Sequence, residues 1–94
     1  MAKRKKFRPT VEQLFICVPG ADAQAVYLAG DFNNWDAAAL PMTRNGVGFE
    51  AKLALAPGRP YEYKFVVDGA WVADPGAPEQ VPNAFCTTNS VVRV

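Results

Sequence analysis

Two tryptophans and one lysine, set among turn-forming amides, are the residues of this chain best suited to chemistry. The first tryptophan closes Gly30-Asp31-Phe32-Asn33-Asn34-Trp35. The second ends Tyr61-Glu62-Tyr63-Lys64-Phe65-Val66-Val67-Asp68-Gly69-Ala70-Trp71, with Lys64 on the run that leads into it. Indole faces, amides and an ammonium form a set that suits a neutral, hydroxyl-rich ligand, because aromatic surface takes apolar C–H faces while polar groups take hydroxyls. That is the chemistry of sugar binding.

The same inventory argues against catalysis. The chain has no histidine and two cysteines, so Ser–His–Asp chemistry is excluded and a zinc site lacks ligands. No glycine-rich phosphate loop precedes a helix. Glycoside hydrolysis wants two carboxyls roughly 5–9.5 Å apart in a deep cleft. Asp31, Asp36, Asp68 and Asp74 instead stand at turn-like positions, where local hydrogen bonding explains an aspartate. The expectation is a protein that is not an enzyme and uses no metal or cofactor.

The elements that must carry these residues are strands. Ninety-four residues, half of them apolar, make one small domain whose core must be well filled. Eight prolines and seven glycines fall between short apolar runs, which favours strands and turns over helices. Residues 1–9 read as a flexible basic leader and 10–94 as the folded domain. Glu12 to Val18, continuously apolar from Leu14 onward, is ended by Pro19-Gly20 and is consistent with a buried strand. Gln24 to Ala29 predicts a second strand, closed by Gly30 and its Asp-Phe-Asn-Asn turn. Ala37 to Leu40 has room for one helical turn before Pro41 stops it, and Met42 returns to the core.

Two later segments alternate cleanly. Phe49, Ala51, Leu53 and Leu55 face one way, with Glu50, Lys52 and Ala54 opposite. Tyr61, Tyr63, Phe65 and Val67 likewise oppose Glu62, Lys64 and Val66. This predicts half-buried antiparallel strands with one wet face. Asp68-Gly69 is a tight hairpin signal, Asp74 to Pro82 a proline-rich crossing, and Ser90 to Val94 a closing strand. Six or seven short strands predict an all-β, antiparallel β-sandwich.

On this frame Lys64 points away from the core, and Trp71 shares its face of the sheet. Two kinds of reading fit Trp71: it caps the core or packs beneath the Pro75–Pro82 crossing, or it is an exposed binding platform. Trp35 either plugs the sandwich edge or meets a ligand. Asn33 and Asn34 shape the turn, and Phe32 fixes it from the core.

Charge is uneven. Lys3, Arg4, Lys5, Lys6 and Arg8 place +5 in the first eight residues. The other five basic residues face nine acids, which leaves the body at −4. The leader lacks the aromatic interleaving of a nucleic-acid surface, and nucleic acid is not an expected partner. Its longest following apolar run, Leu14 to Val18, is shorter than the roughly 7–15 residues of a signal core. No stretch reaches membrane-spanning length. The expected location is therefore cytoplasmic, with Cys17 and Cys86 as reduced thiols; two cysteines that could meet in space do not establish a bridge.

Val26 to Trp35, Tyr63 to Trp71, Asp74-Pro75 and Asn89-Ser90-Val91-Val92 stand in an order and spacing that resemble the family 48 carbohydrate-binding modules. These include the glycogen-binding domain of AMP-activated protein kinase β subunits and the early-set domains of isoamylase and branching enzymes. The match runs from about Arg8 to Val94. The resemblance implies an immunoglobulin-like early-set β-sandwich that binds α-1,4-glucans such as glycogen, starch and maltooligosaccharides. It implies that Trp35 and Trp71 stack on glucose rings and that Lys64 bonds sugar hydroxyls. In the C-terminal loop it implies an apolar contact from Phe85 and polar contacts from Thr87 and Asn89.

Two departures stand out. Phe85 is larger than the aliphatic residue usual at its position, and Cys86 replaces a frequent glycine. Relatives attached to branching enzymes often lack the tryptophan–lysine set and act as spacers. The alternative function is accordingly a structural or docking module, with the tryptophans and Val66 facing a glucan-processing enzyme or a kinase scaffold.

Overall fold

The computed structural model describes residues 9–85 and 87–94; the leader through Arg8, and Cys86, lie outside the described residues. The described residues form eight strands: β1 (Val11–Cys17), β2 (Val26–Gly30), β3 (Thr43–Arg44), β4 (Phe49–Leu55), β5 (Pro60–Val67), β6 (Ala70–Val72), β7 (Glu79–Pro82) and β8 (Thr88–Arg93). They make two antiparallel sheets. One has the order β1-β4-β3, the other β2-β5-β8-β7, with β6 paired to the far end of β5. The fold is an all-β sandwich, as the alternation predicts.

Between the sheets lies an aromatic core. Phe15, Phe49, Tyr61, Tyr63 and Phe65 pack with Val26, Leu28, Met42 and Leu55. Phe15 meets the Tyr63 ring nearly edge-on, with centroids 4.9 Å apart. Such tilted contacts set the positive ring edge against a negative face. Polar groups in this core are bonded as burial demands. The Tyr63 hydroxyl donates to Asp74 Oδ2 at 2.6 Å. Fully buried Ser90 accepts from the Asp74 amide and donates to Gln80 Oε1.

Several expectations are corrected here. β1 is half-buried: Phe15 and Cys17 face the core, while Leu14 and Ile16 are exposed. It belongs to the smaller sheet of the sandwich, and only the face turned toward the core is covered. Ala37–Leu40 forms turns, with the Asp36 carboxylate accepting from the Ala38 amide; there is no helix among the described residues. The proline-rich crossing contains a strand, β7, which the prolines obscure because Pro82 ends it. The outer side of β5 is not wet. Lys64 is 8% and Val66 4% exposed, because Trp71 stands beside Val66 and the segment between β7 and β8 brings Thr87 onto Lys64.

Asp68-Gly69 closes the β5–β6 hairpin with both residues at positive φ, 48° and 88°. Asp68 does more than turn the chain. Its carboxylate accepts from the Gln24 and Ala25 amides, so the hairpin also anchors the entry to β2.

Burial, then the Asp74 hydrogen bond and charge, push the Tyr63 phenol well above its usual range. The folded state therefore holds this proton where the unfolded chain loses it, above an ordinary tyrosine pKa of about 10. Its stabilisation is complete below that pH and declines as pH rises beyond it. Urea denaturation should show a loss of about 1.4 kcal/mol per pH unit above pH 10 from this group. Tyr63→Phe should be less stable at pH 7 and show a shallower alkaline slope than the wild type.

Candidate glucan-binding face

The register of the larger sheet decides which side chains share its outer surface. Val66 of β5 pairs with Trp71 of β6, Lys64 with Ala29 of β2, and Glu62 with Val91 of β8. Trp71 is thus a diagonal neighbour of Lys64 on one face. Period two places Asn89 on that face as well, beside Val91. Trp71 is 46% exposed and stands outside the core, which removes the core-cap reading.

Trp35 reaches the same face from the loop after β2. Gly30 starts this turn because nothing larger fits: a Cβ there would lie 2.5 Å from the Glu62 carbonyl and 2.7 Å from the Phe32 ring. The Gly30 carbonyl accepts from the Asn33 and Trp35 amides. The Asn33 side chain closes the loop, accepting from the Gly30 amide and donating to the Leu28 carbonyl. Asn34 and Trp35 both sit at left-handed φ, 58° and 57°. Asparagine tolerates that conformation; for tryptophan it costs roughly 1–2 kcal/mol. Strain held at an aromatic in a polar turn is the kind found at ligand sites.

The third contributor is the loop between β7 and β8. It carries Phe85, which is 83% exposed, and its polar side chains form a connected network. Lys64 Nζ donates to Thr87 Oγ1 at 3.1 Å. Asn83 Nδ2 donates to both Thr87 Oγ1 and Asn89 Oδ1 at 2.8 Å. Asn89 Nδ2 in turn donates to Glu62 Oε1 at 3.0 Å. At the far wall the Asp31 carboxylate accepts from Arg59 and from the Glu62 amide, each at 3.1 Å.

These parts enclose one open cleft of about 710 Å³, lined by Trp35, Lys64, Trp71, Phe85, Thr87 and Asn89 together with Asp31, Glu62 and Asn83. All six residues singled out in the sequence come together here. Sequence reasoning missed the last three. Glu62 carried a signal, since it shares the alternation phase of Lys64. Asn83 carried none, because its role depends on a loop fold that spacing does not encode. No cluster of three or more histidine, cysteine, aspartate or glutamate side chains is placed to hold a metal among the described residues.

Gly30→Ala should destabilise the domain by about 1–3 kcal/mol through overpacking and disorder the Trp35 turn. Gly20→Ala has open space around it and should stay within about 0.5 kcal/mol of wild type. Chemical denaturation of both variants, with tryptophan fluorescence as the readout, checks this pair.

The family model for the glycogen recognition site of AMP-activated protein kinase matches residues 17–94. Over 69 residues, 73% of this chain, the sequence is 45% identical to the AMP-activated protein kinase subunit beta-1 of Sus scrofa and 46% identical to that of Bos taurus. It is 39% identical to subunit beta-2 of Mus musculus over the same length. The match covers 53% of the Sus scrofa protein and 24% of the Bos taurus and Mus musculus proteins, so this chain corresponds to part of each relative. It belongs to the family of AMP-activated protein kinase glycogen-recognition domains.

Proposed function

We propose that the cleft binds α-1,4-linked glucans, glycogen and starch chains among them, without catalysing a reaction on them. The observation that carries this reading is the convergence of two tryptophans, an outer-face lysine and an amide–hydroxyl network on a single open cleft. Glucose rings would lie with their C–H faces on Trp35 and Trp71. Lys64, Thr87 and Asn89 would meet the hydroxyls. Sugar hydroxyls already bond water, so these polar contacts add selectivity more than net affinity. Phe85 offers an exposed ring as a third apolar contact.

The two carboxylates in the cleft are tied into the scaffold, Asp31 to Arg59 and Glu62 to Asn89. That supports a binding role for the cleft over a hydrolytic one. The docking alternative loses part of its basis, since Val66 is buried and adds nothing to an outer patch. The relatives are named as kinase subunits, which makes a protein kinase complex, rather than a glucan-processing enzyme, the protein partner we propose. No helix among the described residues is long and apolar enough to cross a membrane, and the cytoplasm is the compartment we propose.

Two stacked rings with a few hydrogen bonds imply a Kd of about 1 μM to 1 mM. Calorimetric titration with β-cyclodextrin, a ring curved like an α-1,4-glucan, should saturate in that range for the wild type. Trp71→Ala should raise Kd by at least about tenfold, the equivalent of about 1.4 kcal/mol, while the domain stays folded. Deleting residues 1–8 should leave the titration unchanged. Absence of heat at millimolar ligand would remove the glucan reading.

A further inference from the structure

We infer that Asn83 is the positioning residue that fixes the hydrogen-bond polarity of the cleft, turning the Thr87 hydroxyl into a donor toward the ligand. The inference rests on the glucan reading for the identity of that ligand, but the network itself is a property of the free protein.

The argument starts from donors whose direction is not open to choice. The backbone amides of Phe85 and Thr87 both point at Asn83 Oδ1, at 2.9 and 3.3 Å. An amide N–H can only donate, so this atom of Asn83 must be the carbonyl oxygen. The Nδ2 group then faces Thr87 Oγ1 and Asn89 Oδ1, and its two hydrogens are both spent. Asn89, accepting on its oxygen, has to turn its own NH2 to Glu62 Oε1, a carboxylate that can only accept. One end of the chain is thus fixed by main-chain donors and the other by a carboxylate. Every amide between them has a single consistent orientation.

Thr87 is where this order reaches the ligand. Its oxygen accepts from Asn83 Nδ2 at 2.8 Å and from the Lys64 ammonium at 3.1 Å. A hydroxyl oxygen has two lone pairs, and both are taken. The remaining function of Thr87, an exposed side chain lining the cleft, is to donate its proton outward. The second N–H of Asn89 and the further N–H groups of Lys64 are also donors. The centre of the cleft therefore offers donors to the oxygens of its ligand, while Glu62 and Asp31 supply acceptors at its wall. Asn83 also accepts or donates every hydrogen bond its side chain can make, and its own amide bonds the Thr87 carbonyl at 3.0 Å. It thereby sets the loop that carries Phe85 before any ligand arrives, which lowers the ordering cost of binding.

Asn83→Asp separates this role from simple bracing. An aspartate still accepts from the Phe85 and Thr87 amides, so the loop stays in place. It cannot donate to Thr87, whose proton turns inward to the new carboxylate and is lost to the ligand. The β-cyclodextrin Kd should rise about tenfold in Asn83→Asp and by a similar factor in Thr87→Val. Combining the two should cost clearly less than the product of the single effects, as coupled groups do. Wild-type affinity in Asn83→Asp, or full multiplication in the double variant, would overturn the inference.

A second readout needs no glucan. In the ligand-free protein, amide exchange of Phe85 and Thr87 followed by NMR should remain protected in Asn83→Asp and speed up in Asn83→Ala. The Asn83 side-chain NH2 should exchange more slowly than that of exposed Asn34. Equal rates for these two side chains would overturn the network whatever the glucan result. Intact protection without any glucan binding by the wild type would sink the functional reading and leave the polarity assignment standing.

Discussion

A lysine held in the centre of the larger sheet is the constraint around which the cleft is arranged. Lys64 is 8% exposed, on the outer face of β5, and a lysine so largely covered needs polar partners for its ammonium. The β7–β8 loop brings one, Thr87, over the sheet. That requirement explains why a stretch so poor in apolar anchors folds to a definite shape. Asn83 braces it, Asn89 links it to β8, and Glu62 ties it back to β5. The loop is positioned by hydrogen bonds rather than by packing, and its one large apolar residue, Phe85, is left in solvent.

The opposite wall is built by a different device. Around Trp35 the chain takes left-handed backbone angles at two successive residues, and Asn33 and Gly30 hold the turn against the cost at the tryptophan. Gly30 is the point of closest approach: β5 passes so near that the Glu62 carbonyl would collide with any side chain there. The same carbonyl receives the Asp31 amide. The Trp35 turn and the outer face of β5 are therefore one mechanical unit. The Asp68 clamp on Gln24 and Ala25 fixes β2, the strand that leads into it.

Much of this could be read in the chain, and the limits have physical causes. Alternation in β4 and β5, turn residues at Asp68-Gly69, and the paired tryptophan blocks are enough for the sandwich and for Trp35, Lys64 and Trp71; Phe85, Thr87 and Asn89 follow only from the family resemblance. Alternation cannot say what lies over the polar phase of a strand. Lys64 and Val66 therefore read as wet, although Thr87 over Lys64 and Trp71 beside Val66 cover them. In β1 the error ran the other way: a continuous apolar run suggested two covered faces, but Leu14 and Ile16 lie on the outer face of an edge strand. Asn83 was invisible because its function is relational. It has meaning only once Phe85, Thr87 and Asn89 are folded around it.

The most direct test of the account is an NMR titration of the isotope-labelled chain with maltoheptaose, a linear α-1,4-glucan. The account predicts saturable shifts of the two indole N–H signals, Trp35 and Trp71, together with amides of the β7–β8 loop, and little change along β1 and β4. Shifts centred on the β1–β4 face, or none at millimolar sugar, would contradict it.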